Sequence, residues 1–360
     1  MLVKLLHSHQ FNLVNHSRNF FFIIFLSTIS FSNLDAAVND SVVLDSKVAR
    51  KLSDYGFFDD LNSQKPTNGV LPYELITPLF SDYADKLRFI YVPDNAIAEH
   101  RPNKVFDFPE GTVLIKTFAY LNDHEASDLP PQLLETRLLI KKNSEWKNVS
   151  YVWNKEQTDA VLSIAGKTIS TQFINNEGGL EQVRYRVPNI NQCKECHQSS
   201  KVIEPIGPKP RNLNKSIAYS EGLANQLVRW HQEGWIKNDF EFKTMADWND
   251  ALASVNDRAR SYLDINCGHC HIDGGSADTT GLYLDFGENR KVHLGYYKKP
   301  IATGRASNNL KYSIVPGKPE ESILLYRMKS LDPGIMMPES GRALEHKEAI
   351  ELVNDWIKSL

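Results

Sequence analysis

"NQCKECHQSS", residues 191–200, and "DINCGHCHID", residues 264–273, carry the same five-residue pattern. Cys193, Cys196 and His197 form one C-x-x-C-H, and Cys267, Cys270 and His271 form the other. At this chain's own composition, chance would place one such pattern in roughly one chain per thousand of this length. The two copies hold all four cysteines. How these thiols are read therefore decides both the chemistry and the fold around it.

Four chemistries compete for the pattern. A tetrahedral zinc knuckle of all four thiolates accounts for the pairs, but the gap between them is far wider than a zinc ribbon's, and zinc does not explain a histidine after each pair. A thioredoxin-like dithiol needs a strand before its C-x-x-C and a helix after it. "YRVPNINQ" could supply that strand for the first motif, whereas a helical pattern precedes the second. Disulfides inside each pair would close loops too small to constrain the unfolded chain. Covalent haem accounts for every residue: two thiols on one turn reach the two vinyl groups, and the next residue brings an imidazole to the iron. Two haem c groups are expected, on Cys193 and Cys196 and on Cys267 and Cys270, with His197 and His271 as axial ligands.

The sixth ligand must come from elsewhere. After Met1 the chain has Met245, Met328, Met336 and Met337. "PGIMMPESGR", residues 333–342, is a loop in which Pro338 favours an extended backbone at Met337. Met337 is the expected ligand of the second iron, and Met336 the lesser choice. For the first iron the choice stays open among Met245, His231, His100, His124 and no ligand. His231 reads as a helix residue beside Trp230. His100 and His124 read as solvated, His269 as exposed, and His346 as a surface residue of the last helix.

The rest of the chain sets the context. Hydrophobic residues make up 41% and charged residues 24% of its 360 residues, an ordinary globular balance, and the net charge of −3 gives no basic field for nucleic acid. Lys4 and Arg18 precede the apolar run "FFFIIFLSTISFS", residues 20–32. That is a signal-peptide pattern over residues 1–36, with cleavage near Ala36 or Ala37 and no transmembrane span left afterwards. A periplasmic or secreted location is expected.

Residues 37–188 read as a β-rich domain. "DSKVARKLSDY", residues 45–55, looks like a short helix ended by Gly56. Strand signals then recur at "RFIYVP", "KVFDFP", "TVLIKTFAYL", "LETRLLIKK", "EWKNVSYVWN", "AVLSIAG", "KTISTQFI" and "EQVRYRVP". Their spacing predicts an antiparallel sandwich or barrel over about residues 87–187. Residues 189–245 carry the first motif and a predicted helix over 222–235. Residues 246–360 read as all-α, with helices at "SVNDRARSYLDI", "PEESILLYRMKS" and "EHKEAIELVNDWIKSL".

"RARSYLDINCGHCH", "MMPESGR" and "EAIELVNDWIKSL" together resemble a class I cytochrome c domain over about residues 254–360. The resemblance implies a helix entering the motif, a late axial methionine and a C-terminal helix crossing the first. The segment 281–317 is longer than such a domain needs and reads as a β-hairpin insert. "PYELITPLFSDYADKLRFIYVP", "FDFPEGTVLIKTF", "ETRLLI" and "NQCKECH…IGPKPRNLN…NQL" extend the likeness. Through them the whole chain is similar to secreted bacterial dihaem c-type cytochromes of unassigned role.

Electron transfer with redox partner proteins is the leading expectation. A dihaem peroxidase-like enzyme with an open first haem is the alternative. A third is a glycan- or protein-binding module using Trp146, Tyr151 and Trp153.

Overall fold

A computed structural model describes residues 37–122, 130–175, 177–237, 241–301 and 303–360. The expected signal peptide and His124 lie outside the described residues. The described residues form one compact unit that ends at Leu360. The fold is mixed and strand-rich. No helix among the described residues is long and apolar enough to cross a membrane.

The centre is a six-stranded antiparallel sheet whose strands follow one another in chain order. They are β1 (Val70–Pro72), β2 (Asp85–Tyr91), β3 (Val113–Tyr120), β4 (Gln132–Lys142), β5 (Glu145–Trp153) and β6 (Ala160–Leu162). The β4–β5 turn is the dipeptide Asn143-Ser144. Both residues have positive φ, 53° and 63°, which matches the strand twist of a tight hairpin. A separate hairpin, β7 (Lys167–Ile174) and β8 (Leu180–Val187), follows. Most of the expected antiparallel strands are present, but the sheet does not close into a barrel.

Alternation along β3 shows how the two faces differ. Val113, Ile115 and Ala119 point into a core shared with Val43, Leu52, Tyr55 and Phe57 of the N-terminal segment. Leu114 points the other way, into a cluster with Phe106, Phe108 and Trp230. Phe118 and Tyr120 share that second face but pack under the β7–β8 hairpin, against Phe173, Val183 and Tyr185. Between these two apolar clusters stands Lys116.

Helix α1 (Ile190–His197) carries the first motif and contacts β5. A short hairpin, β9 (Ser216–Tyr219) and β10 (Gly222–Asn225), then leads into α2 (Gln226–Gln232). The C-terminal part holds α3 (Val255–Asn266), α4 (Ile323–Lys329) and α5 (Lys347–Ser359). α3 and α5 share a core of Ala259, Tyr262, Leu263, Val353 and Trp356. At about 25 cal/mol per Å2 of apolar surface, each of these large side chains contributes about 1.5–3 kcal/mol on burial.

Several expectations need correction. Residues 45–55 are not an α-helix; only a 3-10 turn forms, Leu52–Tyr55, ended as expected by Gly56 in the left-handed region. "KVFDFP" is not a strand, although Val105, Phe106 and Phe108 are buried. The helix expected from residue 222 starts at Gln226, because residues 222–225 pair with 216–219. Leu223, expected on its apolar stripe, is 77% exposed. Segment 281–317 is not a hairpin; it consists of turns, one 3-10 helix and isolated bridges. Trp146, Tyr151 and Trp153 are core residues, so they offer no surface platform for a glycan.

A candidate cofactor site between the sheet and the C-terminal helices

Asn189 caps α1, its side chain accepting from the Asn191 and Gln192 backbones. The helix ends on His197. Cys193 is buried beside Arg137 and Ser150 of the sheet. Cys196, one turn on, lies 3.9 Å from the Ser340 hydroxyl and next to Cys270.

Ser254 caps α3 by accepting from the Asp257 backbone. α3 ends at Asn266, one residue before the second motif, which folds as turns held by Cys267 N to Leu263 O and His271 N to Cys267 O. Gly268 lets this loop close: a Cβ there would meet Asp264 O at 2.7 Å and Asp285 Cα at 2.9 Å.

The two histidines are held alike. His197 Nδ1 donates to Glu204 O at 2.8 Å, and His271 Nδ1 donates to Leu282 O at 3.2 Å. A carbonyl only accepts, so each Nδ1 carries the proton and each Nε2 keeps its lone pair, as a metal-binding imidazole requires. Burial, aided by Lys116, pushes His197 down to about 3, and burial pushes His271 down to about 4. Both rings are neutral at pH 7.

All six motif residues and Met337 line one cavity of about 730 Å3. Its apolar walls include Leu79, Phe80, Leu284, Leu324 and Ile350. Size and lining are those of a cofactor pocket. Met336 is buried at 3% exposure and does not line it, so the loop offers Met337. Met328 of α4 also lines the cavity, a second thioether that the loop pattern did not flag.

The candidate sixth ligands of the first motif lie elsewhere. Met245 is buried, with its backbone NH bonded to Arg211 O. His100 packs on Phe106 and Phe242. His231 is exposed, with Nδ1 3.0 Å from Ile236 O.

Two other histidines overturn their expected surface positions. His269 lines the cavity and forms, with Cys196 and Cys270, the one group among the described residues whose ligand atoms could share a metal ion, all within 4.8 Å of one another. His346 also lines the cavity; it stacks on Phe80 at 4.2 Å, and its side chain is 12% exposed.

The four thiols are unpaired. The Cys196 thiol donates a hydrogen bond to the Cys270 sulfur and, with burial, is pushed up to about 12, while the same contact holds Cys270 below the usual thiol value. Burial pushes Cys267 up to about 12.

The residue that sequence reasoning missed here is Arg342. It is buried, and its guanidinium donates to the carbonyls of Met328, Ser330, Met337 and Leu344. It thereby fixes the loop that presents Met337. Among the described residues its Nε has no hydrogen-bond partner, and the residue lines the cavity. That orphan donor, two neutral imidazoles with free Nε2, four unpaired thiols and an apolar wall fit the demands of an anionic, iron-bearing macrocycle.

Comparisons with family models, curated proteins and solved structures returned no match.

Proposed function

We propose that the protein is a dihaem c-type cytochrome that transfers electrons outside the cytoplasm, in the periplasm or after secretion. The observation that carries this reading is the convergence of Cys193, Cys196, His197, Cys267, Cys270, His271 and Met337 on one cavity. When attached, haem c supplies reversible one-electron chemistry. The chain supplies the rest. Cys193 with Cys196, and Cys267 with Cys270, offer the attachment sulfurs. His197 and His271 offer Nε2, each oriented by a backbone carbonyl. Met337 offers a thioether that favours the reduced state, held by Arg342.

The C-terminal part is read as a cytochrome c domain of class I type. This draws support from α3 leading into the second motif, from the late Met337 loop, and from α5 packed on α3. The partners are redox proteins.

The test is a pyridine haemochrome assay with intact mass on protein made alongside haem-attachment machinery. Two covalent haems per chain are expected; one or none overturns the reading.

Two observations favour other readings. Met245, His100 and His231 stand away from the cavity, which favours a peroxidase-like enzyme with an open first site. Carbon monoxide added to the reduced protein decides: an unchanged spectrum removes the enzyme. The closeness of Cys196, His269 and Cys270 favours a three-ligand zinc site. One zinc per colourless chain, by elemental analysis, would put that reading in place of the first.

A further inference from the structure

Register places three cations side by side across the sheet: Arg88 of β2 is opposite Lys116 of β3, which is opposite Arg137 of β4. Lys86 stands two residues from Arg88 on the same face. Like charges directly opposite in a sheet are destabilising, and buried ones more so. Of the acids around the row, Glu135 pairs with one member, and the others are engaged by backbone groups or by Lys215. Glu135 chelates Arg137 and accepts from Tyr185 at 2.7 Å. Asp82 accepts from the Ala343 and Leu344 backbones. Asp85 accepts from Leu121 N, and Glu74 pairs with Lys215. Among the described residues, the hydrogen bonds of the Lys86 and Arg88 side chains go to backbone carbonyls, Ala84 O and Lys86 O. Lys116 has no hydrogen bond or ion pair among the described residues; its ammonium lies 5.0 Å from the Phe118 ring centre.

These four cations line a small pocket of about 70 Å3, together with Asn148 and His197. A space of this size can hold a small anion. Lys116, Arg137 and His197 also line the large cavity, so the two spaces adjoin at the first motif.

We propose that the Lys86–Arg88–Lys116–Arg137 row is an anion site for a carboxylate or small oxyanion placed beside the first motif. One occupant offsets the mutual repulsion and gives Arg88 and Lys116 an anionic partner. Two sources present this chemistry: the carboxylate arms of a porphyrin seated at His197, or a free oxyanion. Only the first source rests on the dihaem reading. Burial, with Arg88 adding to it and Asp85 and Asp82 opposing it, pushes Lys86 down to about 7.

The test uses the purified holoprotein, with Lys116→Met, Arg88→Met and the charge-keeping Lys116→Arg. Acetate and inorganic phosphate are the probes, read by thermal shift. With a free oxyanion as occupant, both probes raise the melting temperature saturably, and each Met variant weakens binding about tenfold or more. With porphyrin carboxylates as occupant, the probes do nothing. The Met variants then move the propionate bending band of the first haem in resonance Raman spectra and lower its midpoint potential, while Lys116→Arg and the second haem stay unmoved. Probes without effect, together with variants that leave band and potential unchanged, overturn the proposal. In protein that carries no haem, the probe titration still answers. Saturable stabilisation lost in Lys116→Met upholds the anion site while the dihaem reading falls; no stabilisation ends both.

Discussion

Asp264→Asn tests what ties the two motifs together. Asp264 lies on α3, three residues before Cys267, and its side chain is fully buried. It accepts from Lys209 Nζ at 3.0 Å on both oxygens, from Arg211, and from the Phe286 backbone at 2.9 Å. Lys209 and Arg211 belong to the segment that follows the first motif, and their side chains are 15% and 8% exposed. Burial alone would raise the carboxyl pKa; the two cations overcome this and hold it below the usual value. Its contribution is therefore present above the ordinary carboxylate pKa and is lost as the pH falls through the folded one. Asparagine keeps the shape but leaves two buried cations without a counter-ion, which costs about 3–5 kcal/mol. At about 2 °C per kcal/mol for a chain this long, Tm should fall by about 6–10 °C at pH 7. Scanning calorimetry on the purified protein reads this directly. Adding Arg211→Met to the variant should recover part of the loss. A fall below about 1 °C, the size of a surface substitution, would refute the idea that this triad clamps the segment after the first motif to the helix before the second.

On the proposed dihaem reading, Met337→Ala should lower the potential of the second haem and let carbon monoxide bind there. Met336→Ala should leave the spectrum alone and cost about 2–4 kcal/mol in chemical denaturation, as a buried methionine does. Arg342→Met should weaken the thioether–iron absorbance band at unchanged haem content, with partial rescue by Arg342→Lys; an unaltered band would mean the loop holds itself. Burial pushes His346 down to about 4. The folded state thus prefers the neutral ring, so this stabilisation is whole above about pH 6.5 and shrinks as the pH falls toward 4, by about 3 kcal/mol. His346→Phe keeps the stack on Phe80 and should flatten urea-measured stability in that window relative to the native protein. Parallel curves would remove His346 as the cause.

β2 to β6 of the central sheet were legible because each alternates or is dense in β-branched and aromatic residues, and because turn residues such as Asn143 and Ser144 punctuate them; β1, in a stretch broken by prolines, was not. The helices α3, α4 and α5 were legible from stripe and cap. Long-range pairing defeated the local reading elsewhere. Residues 45–55 carry a helical pattern, but Lys51 bridges to Val161 and Arg50 O accepts from Leu162 N, so the edge of the sheet holds them extended. His346 reads as a solvated helix start because nothing nearby in sequence announces Phe80, which covers it. In the site, the motif residues and Met337 stand out by spacing. Lys116 and Arg137 do not, since a charge within an apolar strand reads as an outward position when the cavity beneath that face is unknown.

The contact between Cys196 and Cys270 has a consequence for biogenesis. These sulfurs belong to different motifs, 74 residues apart in sequence. An oxidising compartment would remove two electrons and two protons from the pair and staple it shut, spoiling both attachment points at once. On the proposed dihaem reading, an exported chain would have to be kept reduced, or loaded, before it finishes folding, which would make timing and a dedicated reductant part of its maturation.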